Sequence, residues 1–172
     1  MPLSGLDITL AEEDKFDNDT LASTYIKSKE GFLPTPKWDV NHWTWGYGTA
    51  APYSGGKDSP PPSELTITRE EAQEELIGYV ETEVVNKLKD FEEKHSYNWT
   101  DNQIAALTSF MYNGKPHWLR QLTANGTRSN EEIAEAMLLY HNVDDGFGNL
   151  VPSTGLIKRR QEEHNIFTGS GA

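Results

Sequence analysis

The chain of 172 residues has no cysteine. This excludes a disulfide framework, a zinc–thiolate site and a thiol nucleophile, so the fold must rest on packing. No apolar run approaches the roughly 20 residues that a membrane-spanning helix needs. The first twenty residues lack the basic-then-apolar layout of a secretory signal. The expectation is a soluble protein that stays in the cytoplasm unless something else exports it, without stable membrane insertion. Positive charge is scarce: 15 Lys and Arg face 27 Asp and Glu, a net charge of −12. With no basic stripe to displace counterions, a nucleic acid is excluded as partner. The same charge argues against docking on an anionic membrane.

Aromatic residues are plentiful, with five Trp, seven Tyr and six Phe. That favours a globular protein over a disordered one. The length suits one domain, with a core of its own. Residues 1–19 read as an acidic extension, and the domain as 20–168, with a small lobe over about 20–66 and a helical lobe over 68–168. A helix opening at Thr20 would end at Gly31, because Pro34 and Pro36 forbid its continuation. In His42-Trp43-Thr44-Trp45-Gly46-Tyr47-Gly48 bulky aromatics alternate with small residues, which is the pattern of a strand. Its small-residue face leaves room for something to approach closely. Residues 49–67, with Gly55-Gly56 and Pro60-Pro61-Pro62, read as a loop.

The remainder reads as helical. Thr68–Glu71, Thr100–Gln103 and Ser129–Glu132 each form a capping box at a helix start. Leu76, Tyr79, Val80, Val84 and Leu88 follow the first at helical spacing. A last helix is expected from Leu156 to about Phe167, with Gly169 beyond its end. The fold class is therefore α+β, a small mixed lobe followed by a larger helical one.

Glu30 stands out among the carboxylates. At the end of the first helix the unpaired carbonyls disfavour an ionised glutamate, and shielding from water would add to this. An acid that keeps its proton near neutral pH can donate it to a leaving oxygen. Asp39 follows nine residues later, and Thr44 lies on the aromatic strand. A second, ionised carboxylate could activate water, and the threonine hydroxyl could help hold it. Two carboxylates in unequal surroundings are the equipment of glycoside hydrolysis, although on spacing alone such a pair reads more readily as surface charge. The five histidines show no metal-ligand spacing and read as surface or cap residues. No metal or cofactor is implied. Asp144-Asp145-Gly146 reads as a turn and not as a calcium loop.

Six segments, taken in order, carry a resemblance. They are Lys29-Glu30-Gly31, Trp38-Asp39, Thr44-Trp45-Gly46-Tyr47-Gly48, the Leu65–Ala72 helix start, Gln103–Phe110 with Tyr112-Asn113, and Gly155–Glu163. Together they resemble the phage-type lysozymes, the T4-lysozyme-like endolysin family, over about residues 23 to 168. The resemblance implies a lysozyme-like α+β fold with a short β-sheet in the small lobe and a cleft between the lobes. It implies a monomeric muramidase that cleaves between N-acetylmuramic acid and N-acetylglucosamine in bacterial peptidoglycan. Such an enzyme is held in the host cytoplasm until a holin-type partner releases it.

The family's catalytic set carries over to Glu30, Asp39 and Thr44, mostly with inversion. Gly46, Tyr47, Gly48 and Asn113 would meet the substrate. Trp43, Trp45 and Tyr47 also read as small-lobe core, and Asn113 as a helix-ending cap. One of Arg159 and Arg160 would pair with a catalytic carboxylate and the other would lie at the surface. The chain departs from the family in three places. Its Asp39-to-Thr44 interval is one residue short, Thr49 stands where many relatives have His, and Tyr112-Asn113-Gly114 is one residue short. Two alternatives stay open: a lytic transglycosylase acting on the same bond, and a non-catalytic wall-binding module of the same fold.

Overall fold

A computed structural model describes residues 26–27, 30–114 and 117–169, and of Asn113 only the backbone. The acidic extension read in residues 1–19 and most of the opening helix lie outside the described residues. Of that helix, Ile26, Lys27 and Glu30 are helical. It ends at Gly31, with φ of +69°, whose N–H donates to the Lys27 carbonyl at 3.3 Å.

Three antiparallel strands follow, in the order β1 (Leu33–Asp39), β2 (His42–Gly46), β3 (Thr49–Ala50). The prolines that end the opening helix are thus part of a strand that the sequence pattern does not disclose. The β1–β2 register is irregular between Leu33 and Lys37, the stretch that holds Pro34 and Pro36. An edge strand tolerates residues that cannot donate to a ladder, and here the Pro34 carbonyl accepts from the Ile67 N–H at 3.0 Å.

The aromatic strand is shorter than its alternation suggests. It stops at Gly46, and both Gly46 and Gly48 have positive φ, +57° and +97°, so residues 46–48 turn the chain into β3. Trp43, Trp45 and Tyr47 are all buried in the core. The indole N–H of Trp43 donates to the Gly55 carbonyl at 2.9 Å, which satisfies its one polar atom.

Helix α1 (Arg69–Tyr79) runs without a break into a π-helical segment (Val80–Val85) and then into α2 (Asn86–Lys94). The spacing of the buried residues accounts for the wider turns. Leu76, Val80, Val84 and Leu88 are all buried and lie four apart. In a helix of 3.6 residues per turn each such step advances the stripe by about 40°, so three steps would carry it roughly 120° round. Wider turns cancel that drift and keep all four residues on the core. Within the same stretch the Thr82 hydroxyl donates back to the Gly78 carbonyl at 2.7 Å.

Helix α3 (Asp101–Asn113) is buried on every side from Ile104 to Phe110, as befits the central helix of a lobe. Around it lie α4 (Trp118–Leu122), α5 (Asn130–Met137) and α6 (Thr154–Thr168). All three capping boxes form with both reciprocal hydrogen bonds. Gly169, with φ of +74°, closes α6. A two-stranded hairpin, β4 (Asn142–Asp144) with β5 (Leu150–Pro152), projects from the helical lobe. Its strands are exposed, so no one-sided apolar alternation marked them. The Asp144–Asp145 turn reading agrees with the structure, where the Asp144 and Asp145 side chains accept from the N–H groups of Gly146 and Phe147 at 2.7 and 2.8 Å.

Candidate active site

The three strands and the helical lobe enclose a cleft of about 520 Å³. Glu30, Asp39 and Thr44 all line it. Each arrives by a different route: Glu30 at the end of the opening helix, Asp39 as the last residue of β1, and Thr44 from the middle of β2.

Glu30 faces α6, where its Oε1 lies 3.4 Å from Arg159 Nη1. The carboxylate side chain is 30% exposed and the arginine 8%, so the pair sits at the cleft wall. Arg159 is itself held from behind. Its Nε lies 3.4 Å from Glu163 Oε2, and its Nη2 donates to the Ser109 carbonyl at 3.3 Å. The Ser109 hydroxyl in turn donates to Glu163 Oε2 at 2.5 Å.

Arg160 is not at the surface, against expectation. It is fully buried, with Nε 3.2 Å from Glu163 Oε1 and its guanidinium 4.7 Å from the centre of the Phe110 ring. The physical reason is Glu163. A carboxylate buried within α6 needs positive partners, and both arginines lie within one turn of it. Burial pushes the Glu163 carboxyl upward, opposed by Arg160, Arg159 and Ser109.

Asp39 has a different setting. It is exposed and pairs across the sheet with His42, so only Val40 and Asn41 connect the strands. The shortened Asp39–Thr44 interval therefore becomes a two-residue turn. It closes because Val40 takes a positive φ of 52° and the Asn41 N–H donates to the Asp39 carbonyl at 2.6 Å. A β-branched residue resists that conformation, and left-handed backbone costs an L-residue about 1–2 kcal/mol. Val40 is 88% exposed, so its side chain gains little by packing there. Thr44 is nearly buried. Its hydroxyl donates to the Lys37 carbonyl at 3.4 Å, which turns the oxygen's lone pairs away from that carbonyl.

Of the glycines proposed to meet substrate, only Gly48 lines the cleft. A Cβ there would come 3.1 Å from Tyr112 Oη and 3.9 Å from Glu30 Oε2, so even alanine would crowd the tyrosine hydroxyl and stand in contact with the acid. Gly46 instead faces α1, where a Cβ would meet that of Ala72 at 3.0 Å. Its smallness serves sheet–helix packing, not substrate approach. The Tyr47 ring is buried against Phe32, with centroids 5.6 Å apart, and is not a sugar platform. Asn113 has its side chain outside those described.

Sequence reasoning passed over several residues of the wall. Tyr112, standing in the helix-ending Phe-Asn pattern, donates its hydroxyl to the Tyr47 carbonyl at 2.7 Å and so ties α3 to the sheet. Burial pushes its phenol well above the usual tyrosine range, and Glu30 adds to the rise. Tyr79 packs edge-on to it at 5.7 Å and also lines the cleft, as do Lys37 and His42. The one available signal was Tyr112 itself, a hydroxyl added where the pattern has Phe. Glu75 anchors the sheet from below, its Oε2 accepting from Trp45 Nε1 at 3.1 Å and from Thr49 Oγ1 at 2.9 Å.

The family model for phage lysozyme matches residues 27–163. No curated protein sequence matches the chain. Solved structures do resemble it. The muramidase domain of SpmX from Asticaccaulis excentricus is 24% identical, covering 85% of this chain and 93% of that one, with a TM-score of 0.68. The endolysin from Escherichia coli O157:H7 phage FAHEc1 is 25% identical over 92% and 96% of the two chains, with a TM-score of 0.57. The P1 phage endolysin Lyz, at 16% identity, covers 98% of this chain and 95% of its own, with a TM-score of 0.66. The architecture is lysozyme-like.

Proposed function

The chain belongs to the phage lysozyme family, and from that premise we propose that it hydrolyses the bond between N-acetylmuramic acid and N-acetylglucosamine in bacterial peptidoglycan. The observation that carries this reading is the shared cleft. Glu30 and Asp39 arrive on separate elements and line one trough with Thr44. That constellation suits an acid and a base working on a bond laid between them.

In this reading Glu30 is the general acid and protonates the glycosidic oxygen as the bond breaks. Asp39 is the general base. It takes a proton from water, which attacks the anomeric carbon from the opposite side of the sugar ring. The lone pair of Thr44 Oγ1 turned away from Lys37 accepts from that water and holds it in line. Because water attacks opposite the leaving oxygen, the anomeric configuration inverts. A hydrogen bond from Arg159 Nη1 keeps Glu30 aimed at the bond, and Gly48 leaves room for a sugar beside it. The biological role that follows is lysis of a host bacterium by a phage, with a holin-type partner releasing the enzyme to the wall.

Clearing of purified peptidoglycan by wild type and Glu30→Gln tests the proposal. Removing a general acid is expected to cost about 10²–10⁴-fold in rate. Mass spectrometry of the wild-type digest should give reducing ends, and fresh product should carry the inverted anomer by NMR. Anhydro ends would replace the hydrolase by a transglycosylase. Equal, negligible clearing by both proteins, with the wall still bound, would leave only a binding module.

A further inference from the structure

The mechanism above uses Glu30 and Arg159 but leaves Glu163, in the same cluster, without a role. Glu163 is fully buried on α6. It contacts Arg159, Arg160 and the Ser109 hydroxyl and does not line the cleft. A buried carboxylate is expensive to keep, and a stable lobe could be built around an apolar residue instead.

Resting on the reading of Glu30 as the acid, we propose that Glu163 is a positioning residue. Together with Ser109 it fixes the Arg159 guanidinium and offsets its charge, so that Arg159 aims Glu30 without stripping it of its proton. The geometry supports both halves. Arg159 reaches Glu163 with Nε, Ser109 with Nη2 and Glu30 with Nη1, so three edges of one planar fork are committed and the group cannot swing. In charge the cluster holds Glu30, Arg159, Arg160 and Glu163, two of each sign. Without Glu163, the charge of Arg159 would act on Glu30 with less opposition, and its carboxylate would be stabilised against protonation.

Among the described residues, these groups face the pair. Around Glu30 stand Arg159 from α6 and Tyr112 from α3, with Tyr79 of α1 and Lys37, Asp39 and His42 of the first hairpin on the same cleft. Around Glu163 stand Arg159, Arg160 and Ser109. The neighbouring His164 lies 3.9 Å from Glu135 of α5.

The decisive variant is Glu163→Gln. It keeps an oxygen for Ser109 and Arg159 and removes the charge, while its amide NH2 takes the place of the oxygen that faces Arg160. Carbon NMR of the Glu30 carboxyl should show its titration midpoint fall by about one pH unit. The alkaline limb of the wall-clearing profile should fall with it. An unmoved midpoint in a folded variant overturns the proposal. It would mean that Glu163 is a neutral acid, or that its charge does not reach Glu30.

Ser109→Ala covers the case in which the glutamine variant does not fold. It leaves every charge and the Ser109 carbonyl in place but removes the hydroxyl that holds Glu163 and lies 3.4 Å from Arg159 Nη2, so the fork loosens and kcat should fall several-fold with KM unchanged. Unchanged kcat and KM would equally overturn the proposal. The NMR titration needs no turnover. A wild type that clears no wall therefore defeats the hydrolase reading, while the midpoint shift still decides the role of Glu163.

Discussion

The two carboxylates of the cleft are held in opposite ways. Glu30 is paired with an arginine that is itself clamped by a buried serine and glutamate, so its position is set by the packed interior of the helical lobe. Asp39 sits at the lip of a two-residue turn, exposed, beside a valine in a left-handed conformation. The contrast suits the two roles proposed for these carboxylates. An acid must meet one oxygen at a fixed place, whereas a base works through a water molecule and tolerates some movement. It also separates two kinds of residue cost. On the Glu30 side, function and stability share the same atoms. On the Asp39 side, strain is stored in a turn that few other groups depend on.

The largest effect should come from breaking the clamp. Arg159→Ala leaves Glu163 buried with half its positive partners gone. Loss of one partner of a buried ion pair costs about 3–5 kcal/mol, so urea unfolding should show a drop of that order together with loss of clearing. If stability falls by less than about 1 kcal/mol, the clamp is not a packed network and the contrast fails.

Asp39→Asn is the matching change on the other side. Activity is expected to fall about 10²-fold or more, while stability stays within about 0.5 kcal/mol, as for exposed sites generally. Parallel rate and unfolding measurements would check whether the two quantities separate there as they do not at Arg159.

A smaller effect is expected at the turn. Val40→Asn removes a β-branched side chain from positive φ and should raise stability by about 1 kcal/mol. A crystal structure of the variant should show the Asp39–His42 pairing kept. A loss of stability would mean that the strain assigned to Val40 is absent.

The smallest effect marks the ground between them, at the β4–β5 tip, which belongs to neither carboxylate. Hydrogen bonds from the Phe147 N–H and the Asn149 side chain hold the Asp145 carboxyl below the usual aspartate value of 3.8. A depressed folded-state value means that this contribution is complete above the ordinary aspartate range and is lost as pH falls through the lowered one. Amide hydrogen exchange at Phe147 and Asn149 should therefore quicken in acid before exchange in α3 does. Simultaneous loss would show the hairpin to be part of the same cooperative unit.

Much of the scaffold was legible because its signals are local. The capping boxes at Thr68, Thr100 and Ser129 each need only four consecutive residues. Gly31 and Gly169 mark helix ends by their own backbone freedom. The first strand was not legible. Its prolines read as stops, and only the edge position, with its slipped register between Leu33 and Lys37, lets them be strand. The β4–β5 hairpin was missed because neither face is buried. At the site, the one-residue deletion before Thr44 announced a tighter turn, but nothing local said that Val40 would supply it. Gly46 and Gly48 look alike in sequence. One meets Ala72 and the other Tyr112 and Glu30, a difference made entirely by which helix lies above each.

By itself the sequence determined where α1, α3 and α5 begin and where Gly31 and Gly169 end their helices, which aromatics go inside, and which acid stands at a helix terminus. These follow from interactions within a few residues along the chain. The choice between Arg159 and Arg160 was left to the tertiary structure. Neighbouring residues on a helix point about 100° apart. Only the placement of α3 and the opening helix against α6 decides which guanidinium reaches Glu30 and which turns inward beneath Phe110.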